Sequence, residues 1–169
     1  MKKPITKRGY DFLRQEVIRL KGTRPELANA IEVARAHGDL SENAEYDAAK
    51  ERSGMIEAKI REMESSLANS EVIDTSKIKG FDKVVFGTTV TLEDLDSGEQ
   101  RVLSIVGAPE SDTKKGLISF ESPIARALIS KEPGDVVKVR APGGLREYEV
   151  LEVGPIDFGS EDSDISSVA

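Results

Sequence analysis

Apolar and small residues recur early in the chain in alternating steps of three and four. The first series is Tyr10, Leu13, Val17, Leu20, Leu27, Ile31 and Ala34, interrupted only by Arg24. The second is Tyr46, Ala49, Ser53, Ile56, Ile60, Met63 and Leu67. Stripes of this period place one apolar face along each of two helices. Between them lies His37-Gly38-Asp39-Leu40-Ser41-Glu42-Asn43. Two matched stripes joined by so short a segment predict an antiparallel helical hairpin. Each arm of about 30 residues would run roughly 45 Å at 1.5 Å per residue.

Local signals punctuate the arms. Thr6 is placed to cap the first helix. Gly22 stops it, and Thr23 with Glu26 forms a capping-box pattern that restarts it, with Pro25 tolerated in the first turn. A break near residues 21–24 is therefore expected, with Leu20 and Leu27 on either side of it facing the same partner helix. Gly38 is expected to end the first arm, and Asp39 or Ser41 to open the second. Ser53-Gly54 offers a place for close approach or a slight bend.

After residue 78 the period changes to two. Thr89–Leu95 and Arg101–Val106 read as a hairpin about Asp96-Ser97-Gly98. Leu117–Phe120 is a further short strand. Ser122–Ile129 reads as a capped helix with Pro123 at its first position. Asp135–Arg140 and Arg146–Val153 form a last hairpin around Pro142-Gly143-Gly144. The expected architecture is α+β: residues 1–77 as a coiled-coil domain with an acidic tip at 38–43, residues 78–156 as a small antiparallel sheet with one short helix, and residues 157–169 as an acidic, serine-rich disordered tail.

Composition narrows the class. The 169 residues include no cysteine, which excludes disulfides and thiolate metal sites. No apolar run approaches the roughly 18 residues of a membrane span. The first residues lack the apolar core of a signal peptide, so a soluble cytoplasmic protein is expected. Charge is uneven. Residues 1–77 hold 14 basic and 14 acidic side chains, whereas residues 78–169 hold 10 and 17. That acidity argues against a general nucleic-acid binder but leaves room for a local basic patch.

Asp39 and Glu42 stand three apart at a helix start. One reading is helix capping, with both carboxylates favoured by the positive end of the helix dipole. The other is a pair of hard oxygen ligands for Mg²⁺, which takes one or two protein carboxylates and keeps several waters. Two carboxylates alone make a weak site, so a partner would have to complete it. His37, the single histidine, has no catalytic partner pattern and reads as a helix-end residue. Tyr46 reads as stripe packing.

The segment Ala36-His37-Gly38-Asp39-Leu40-Ser41-Glu42-Asn43-Ala44-Glu45-Tyr46 closely resembles the signature of the GreA-type bacterial transcription elongation (transcript cleavage) factors of the Gre family. Val72-Ile73-Asp74, Val84–Val90, Ser122–Ile129 and Pro142-Gly143-Gly144 resemble that family as well, in one colinear order over residues 5–153. The tail after residue 156 departs from it. The resemblance implies a coiled coil followed by a C-terminal domain of the FKBP type. It further implies insertion of the coiled coil into the secondary channel of a backtracked bacterial RNA polymerase, where the polymerase cleaves its own displaced RNA 3′ end. By position, Asp39 and Glu42 are the acids that help hold the second Mg²⁺ and orient the attacking water. The chain would not be an enzyme alone. No cofactor would be tightly bound, the Mg²⁺ being shared with the polymerase.

Arg35, Lys50 and Arg52 are the candidates to steady the RNA 3′ segment, against a reading as ordinary surface charge. Pro123, Ile124 and Ala125 are the candidates for docking at the channel rim, against burial in their own domain. A monomer is expected, because an intramolecular hairpin covers its own stripe. Other functions compatible with the pattern are a non-cleaving competitor of the same family, marked by an altered acidic tip, and a coiled-coil chaperone or scaffold, which would need no Asp39. A prolyl isomerase would need an aromatic-lined pocket, and residues 78–156 offer only Phe81, Phe86, Phe120 and Tyr148.

Overall fold

The computed structural model describes residues 2–36 and 44–158. Its contacts divide the chain into one unit of Asp11–Asn69 and another that combines Met1–Tyr10 with Ser70–Ala169. Helix α1 (Lys7–Gly22) begins in the second unit and continues into the first. Helices α2 (Arg24–Arg35) and α3 (Ala44–Ala68) complete the helical unit.

The two stripes are buried as their spacing requires. Leu13, Val17 and Leu20 of α1 are buried, and so are Ala34 of α2 and Ala49 and Ile60 of α3. Val17, Leu20 and Ile60 form a small core to which Ile56, Met63 and Leu67 add their partly buried side chains. No described stripe residue is exposed, and most residues between them are. Phe12, Ile18, Val33 and Met55 are exposed apolar exceptions.

The break falls at Thr23, but not through the expected capping box. Thr23 has helical backbone angles and makes no side-chain cap. Its hydroxyl instead donates backwards to the Leu20 carbonyl at 2.6 Å, beside its own N–H at 3.1 Å. Such back-bonding bends helices. Pro25 lacks an N–H, so the Lys21 carbonyl cannot receive the regular i→i−4 bond. The Leu27 N–H still reaches the Thr23 carbonyl at 3.1 Å, which restarts the ladder at once. Opposite this joint α3 runs unbroken. Gly54 has nothing within 4 Å of where a Cβ would stand, so it serves no close approach there.

The other unit holds two sheets. Strands β1 (Lys3–Thr6) and β2 (Ser70–Ile73) pair in parallel, Lys3 against Ser70 and Thr6 against Ile73. Strands β3 (Thr88–Asp94), β4 (Gln100–Val106), β5 (Leu117–Ser119), β6 (Val136–Ala141) and β7 (Gly144–Pro155) form a second sheet in the order β5-β4-β3-β7-β6. Helix α4 (Pro123–Leu128) packs against its core. Strand β3 buries every second residue, Thr88, Val90, Leu92 and Asp94. Of these, Val90 and Leu92 join Leu103, Ile105, Leu128, Val137, Tyr148 and Val150 in a single core. The Ser122 hydroxyl caps α4 by accepting the Ala125 N–H at 3.3 Å.

One expectation is corrected: the sheet is mixed rather than purely antiparallel, because β4 and β5 run parallel. The first strand, β1, pairs with β2, and by contacts Met1–Tyr10 group with Ser70–Ala169. Among the described residues, no helix is long and apolar enough to cross a membrane.

Candidate functional site at the hairpin tip

Asp39, Glu42 and His37, with the caps expected at Gly38, Asp39 and Ser41, lie in residues 37–43, outside the described residues. What flanks them is described. Helices α2 and α3 pack on one another, and this short segment joins them. Helix α2 ends in Arg35 and is closed by Ala36, whose N–H reaches the carbonyls of Glu32 and Ala34. Helix α3 opens with Glu45 and Asp47 in its first turn. Carboxylates there are favoured by the exposed N–H groups of the first turn.

The three basic candidates do not form one cluster. Arg35 is exposed and lies 3.7 Å from Glu32, one turn back on its own helix. Lys50 sits over the Tyr46 ring, 5.3 Å from its centroid. Arg52 is exposed. At 100° per residue, Lys50 and Arg52 diverge by about 200° and flank opposite sides of the buried Ala49–Ser53 stripe.

The docking candidates separate as well. Ala125 is fully buried and Ile124 packs partly into the sheet core. Only Pro123 is exposed. Ala125 therefore supports the domain rather than meeting a partner.

Two polar features escaped the sequence pattern. Arg24, which interrupts the first stripe, is exposed and grips Glu57 of α3 with two hydrogen bonds: Nε to Oε1 at 2.7 Å and Nη2 to Oε2 at 2.9 Å. The bond to Glu57 raises the Arg24 pKa, and the same bond lowers that of Glu57. Lys21, on the other side of the joint, pairs with Glu64 at 2.5 Å. The signal was present: Glu57 and Glu64 are one heptad apart beside the stripe, where interhelical ion pairs form.

The second feature is Glu110, in the short helical turn Ala108–Glu110 after β4. Its carboxylate accepts the Thr6 N–H at 2.8 Å, the Gly107 N–H at 3.0 Å and the Thr6 hydroxyl. Burial raises its pKa, outweighing these donors and the nearby Arg8 charge. Nothing local in the sequence announces a contact with the first strand. Among the described residues, no group of three or more His, Cys, Asp or Glu side chains could hold a metal ion.

Residues 3–72 match the family described as "Transcription elongation factor, N-terminal". Residues 78–155 match "Transcription elongation factor, GreA/GreB, C-term". The chain is 55% identical over 151 residues to "Transcription elongation factor GreA" of Neisseria meningitidis serogroup B, covering 89% of this chain and 96% of that one. It is 58% identical over 151 residues, with the same coverage, to the protein of that name from Ralstonia nicotianae. A solved structure, that of GreA factor homolog 1 (Gfh1) of Thermus thermophilus, is 27% identical and covers 90% of this chain and 99% of its own, with a TM-score of 0.43. With both family segments matched in order and more than half of the residues shared with curated relatives, the chain belongs to the GreA/GreB family of transcription elongation factors.

Proposed function

We propose that this elongation factor acts on bacterial RNA polymerase by carrying Asp39 and Glu42 on the end of its helical hairpin into the enzyme's secondary channel. There it stimulates the polymerase's own Mg²⁺-dependent cleavage of a backtracked RNA 3′ end. The observation that carries the reading is the placement of 37–43 between two helices packed by a continuous stripe, with family membership over both parts of the chain. Acids in a short segment that joins two packed helices suit delivery into another protein's cavity.

Asp39 and Glu42 would hold one side of a Mg²⁺ whose remaining ligands come from the polymerase. Bound there, the ion supplies an activated water and offsets charge on the reacting phosphate. The chain's own carboxylates provide oxygen ligands and accept hydrogen bonds from that water. Glu45 and Asp47 add negative potential without serving as ligands. Arg35, Lys50 or Arg52 steadies the RNA 3′ segment from whichever side it enters. Pro123 and the exposed surface around α4 dock on the channel rim. The chain acts as a monomer and cleaves nothing by itself.

The test uses a stalled, backtracked elongation complex and follows the RNA 3′ end. Wild-type chain should shorten the RNA. Asp39→Asn and Glu42→Gln should bind the polymerase yet lose most of the stimulation, with partial recovery at raised Mg²⁺. Full stimulation by the double variant would refute the metal role. Inhibition by the wild-type chain would favour the non-cleaving competitor.

A further inference from the structure

The helical unit is packed unevenly along its length. Helix α1 contributes three buried apolar side chains, Leu13, Val17 and Leu20, whereas α2 buries only Ala34, with Leu27 and Ile31 half-covered. Helix α2 is also the piece that leads to the tip, and it is separated from α1 by the Thr23 break. Apolar contact one side chain wide holds α2 against α3 but resists sideways swing weakly.

The charges at the joint supply the missing restraint. Arg24 opens α2, and its planar guanidinium meets the Glu57 carboxylate through two hydrogen bonds at once. A bidentate pair fixes orientation as well as distance. Lys21 ends α1 and is held by Glu64. Both acids stand on the uninterrupted α3, which therefore splints the break.

We propose that Arg24, through Glu57, is a positioning residue for the tip carboxylates Asp39 and Glu42, setting the direction of α2 at the Thr23 joint. This rests on the cleavage reading above. From Arg24 to Arg35 the helix spans about 17 Å. A turn of about 10° at the joint would move its far end by about 3 Å over that length. Displacement of about 1 Å can cost a hundredfold in a positioned reaction. The clamp is exposed, so salt weakens it and should act like its removal.

The full chain is tested on backtracked complexes as Arg24→Ala, Glu57→Ala and the reversal Arg24→Glu with Glu57→Arg. Each single variant should lower the maximal stimulated rate by at least about threefold at an unchanged half-saturating concentration. The reversal should recover most of it. A merely structural surface pair would not produce that split or that recovery. A second measurement reads the joint directly. The chain has no cysteine, so spin labels at Ile18→Cys and Val33→Cys, both exposed positions, report one distance across it. That distance should be narrowly distributed with Arg24 in place, broader in Arg24→Ala and narrow again in the reversal. Wild-type rates in Arg24→Ala, or an unchanged distance distribution, would overturn the positioning role. A parent chain that stimulates no cleavage at all would instead remove the reading on which that role rests.

Discussion

Glu110 accepts the backbone N–H of Thr6 at 2.8 Å across 104 positions of sequence, and takes the Thr6 hydroxyl as well. Thr6 in turn caps α1, its hydroxyl oxygen accepting the Gly9 N–H at 3.0 Å. One carboxylate thus ties the last residue of β1, the first turn of α1 and the turn after β4. A Cβ on Gly9 would stand 2.5–2.9 Å from the Glu110 carboxyl group, so any side chain there would have to displace that carboxyl from its hydrogen bonds.

Removing the acceptor should cost more than removing its charge. Glu110→Ala strands the N–H groups of Thr6 and Gly107, each worth roughly 1–3 kcal/mol when left unsatisfied in a buried place. Glu110→Gln keeps an oxygen for both and should lose far less. Urea denaturation of the two variants measures the difference. Equal losses would mean that the hydrogen bonds do not hold the strand.

The same residue predicts a pH dependence. Its folded pKa is raised by burial above the ordinary glutamate value of about 4.5. Folding therefore favours the protonated form. This contribution to stability is fully present below the unfolded value and is lost as pH rises through the raised folded value. Glu110→Gln should flatten that part of the stability curve, and its stability relative to wild type should improve as pH rises through the window.

Asp94 should act in the opposite direction. The Asp96 N–H, foremost, holds its carboxyl below the ordinary range, aided by the Ser97 N–H and Arg146 at 2.9 Å. Its stabilisation is present above the unfolded value and is lost as pH falls through the lowered folded value. Asp94→Asn should therefore remove part of the acid sensitivity of the sheet unit. An unchanged acid transition in thermal scans would show that this turn contributes nothing there.

Two glycines of like backbone separate strain from crowding. Gly98 and Gly116 have φ of 76° and 75°, but a Cβ on Gly116 would meet the Val102 carbonyl at 2.6 Å while one on Gly98 would meet nothing within 4 Å. Gly98→Ala should cost about 1–2 kcal/mol from the left-handed conformation alone. Gly116→Ala should cost more, because backbone must move. Denaturation midpoints decide it.

The hairpin was legible in the sequence because a period near 3.5 leaves one solution for where each side chain goes. On either side of the break Leu20 is buried and Leu27 half-buried. The same holds for β3, whose alternate residues are buried. What stayed hidden was set by partners distant in sequence. Lys3–Thr6 and Ser70–Ile73 are four residues each and carry no pattern of their own, so their parallel pairing could not be read locally. The β4–β5 direction is likewise a choice of neighbour rather than of residue type. Thr23 had the composition of a cap, but its hydroxyl bonds the Leu20 carbonyl and makes no cap to α2. Asp39 and Glu42 were legible only through the family signature, since their spacing fits capping equally well.

The pairing of β1 with β2 changes how the sheet unit must be isolated. A fragment of residues 78–169 lacks both strands and leaves Glu110 without Thr6. A chain in which residues 11–69 are replaced by a flexible glycine–serine linker retains Lys3–Thr6, Ser70–Ile73 and the Glu110 contacts. It should unfold at higher urea than the shorter fragment, by more than the roughly 1–3 kcal/mol assigned to one lost acceptor. If the sheet unit supplies most of the docking, the linked chain should also compete with the whole protein for polymerase while stimulating no cleavage, because it carries neither Asp39 nor Glu42. Equal stability of the two fragments would show that β1 is an appendage. A linked chain that is folded yet fails to compete, even in large excess, would move the docking surface to the helices.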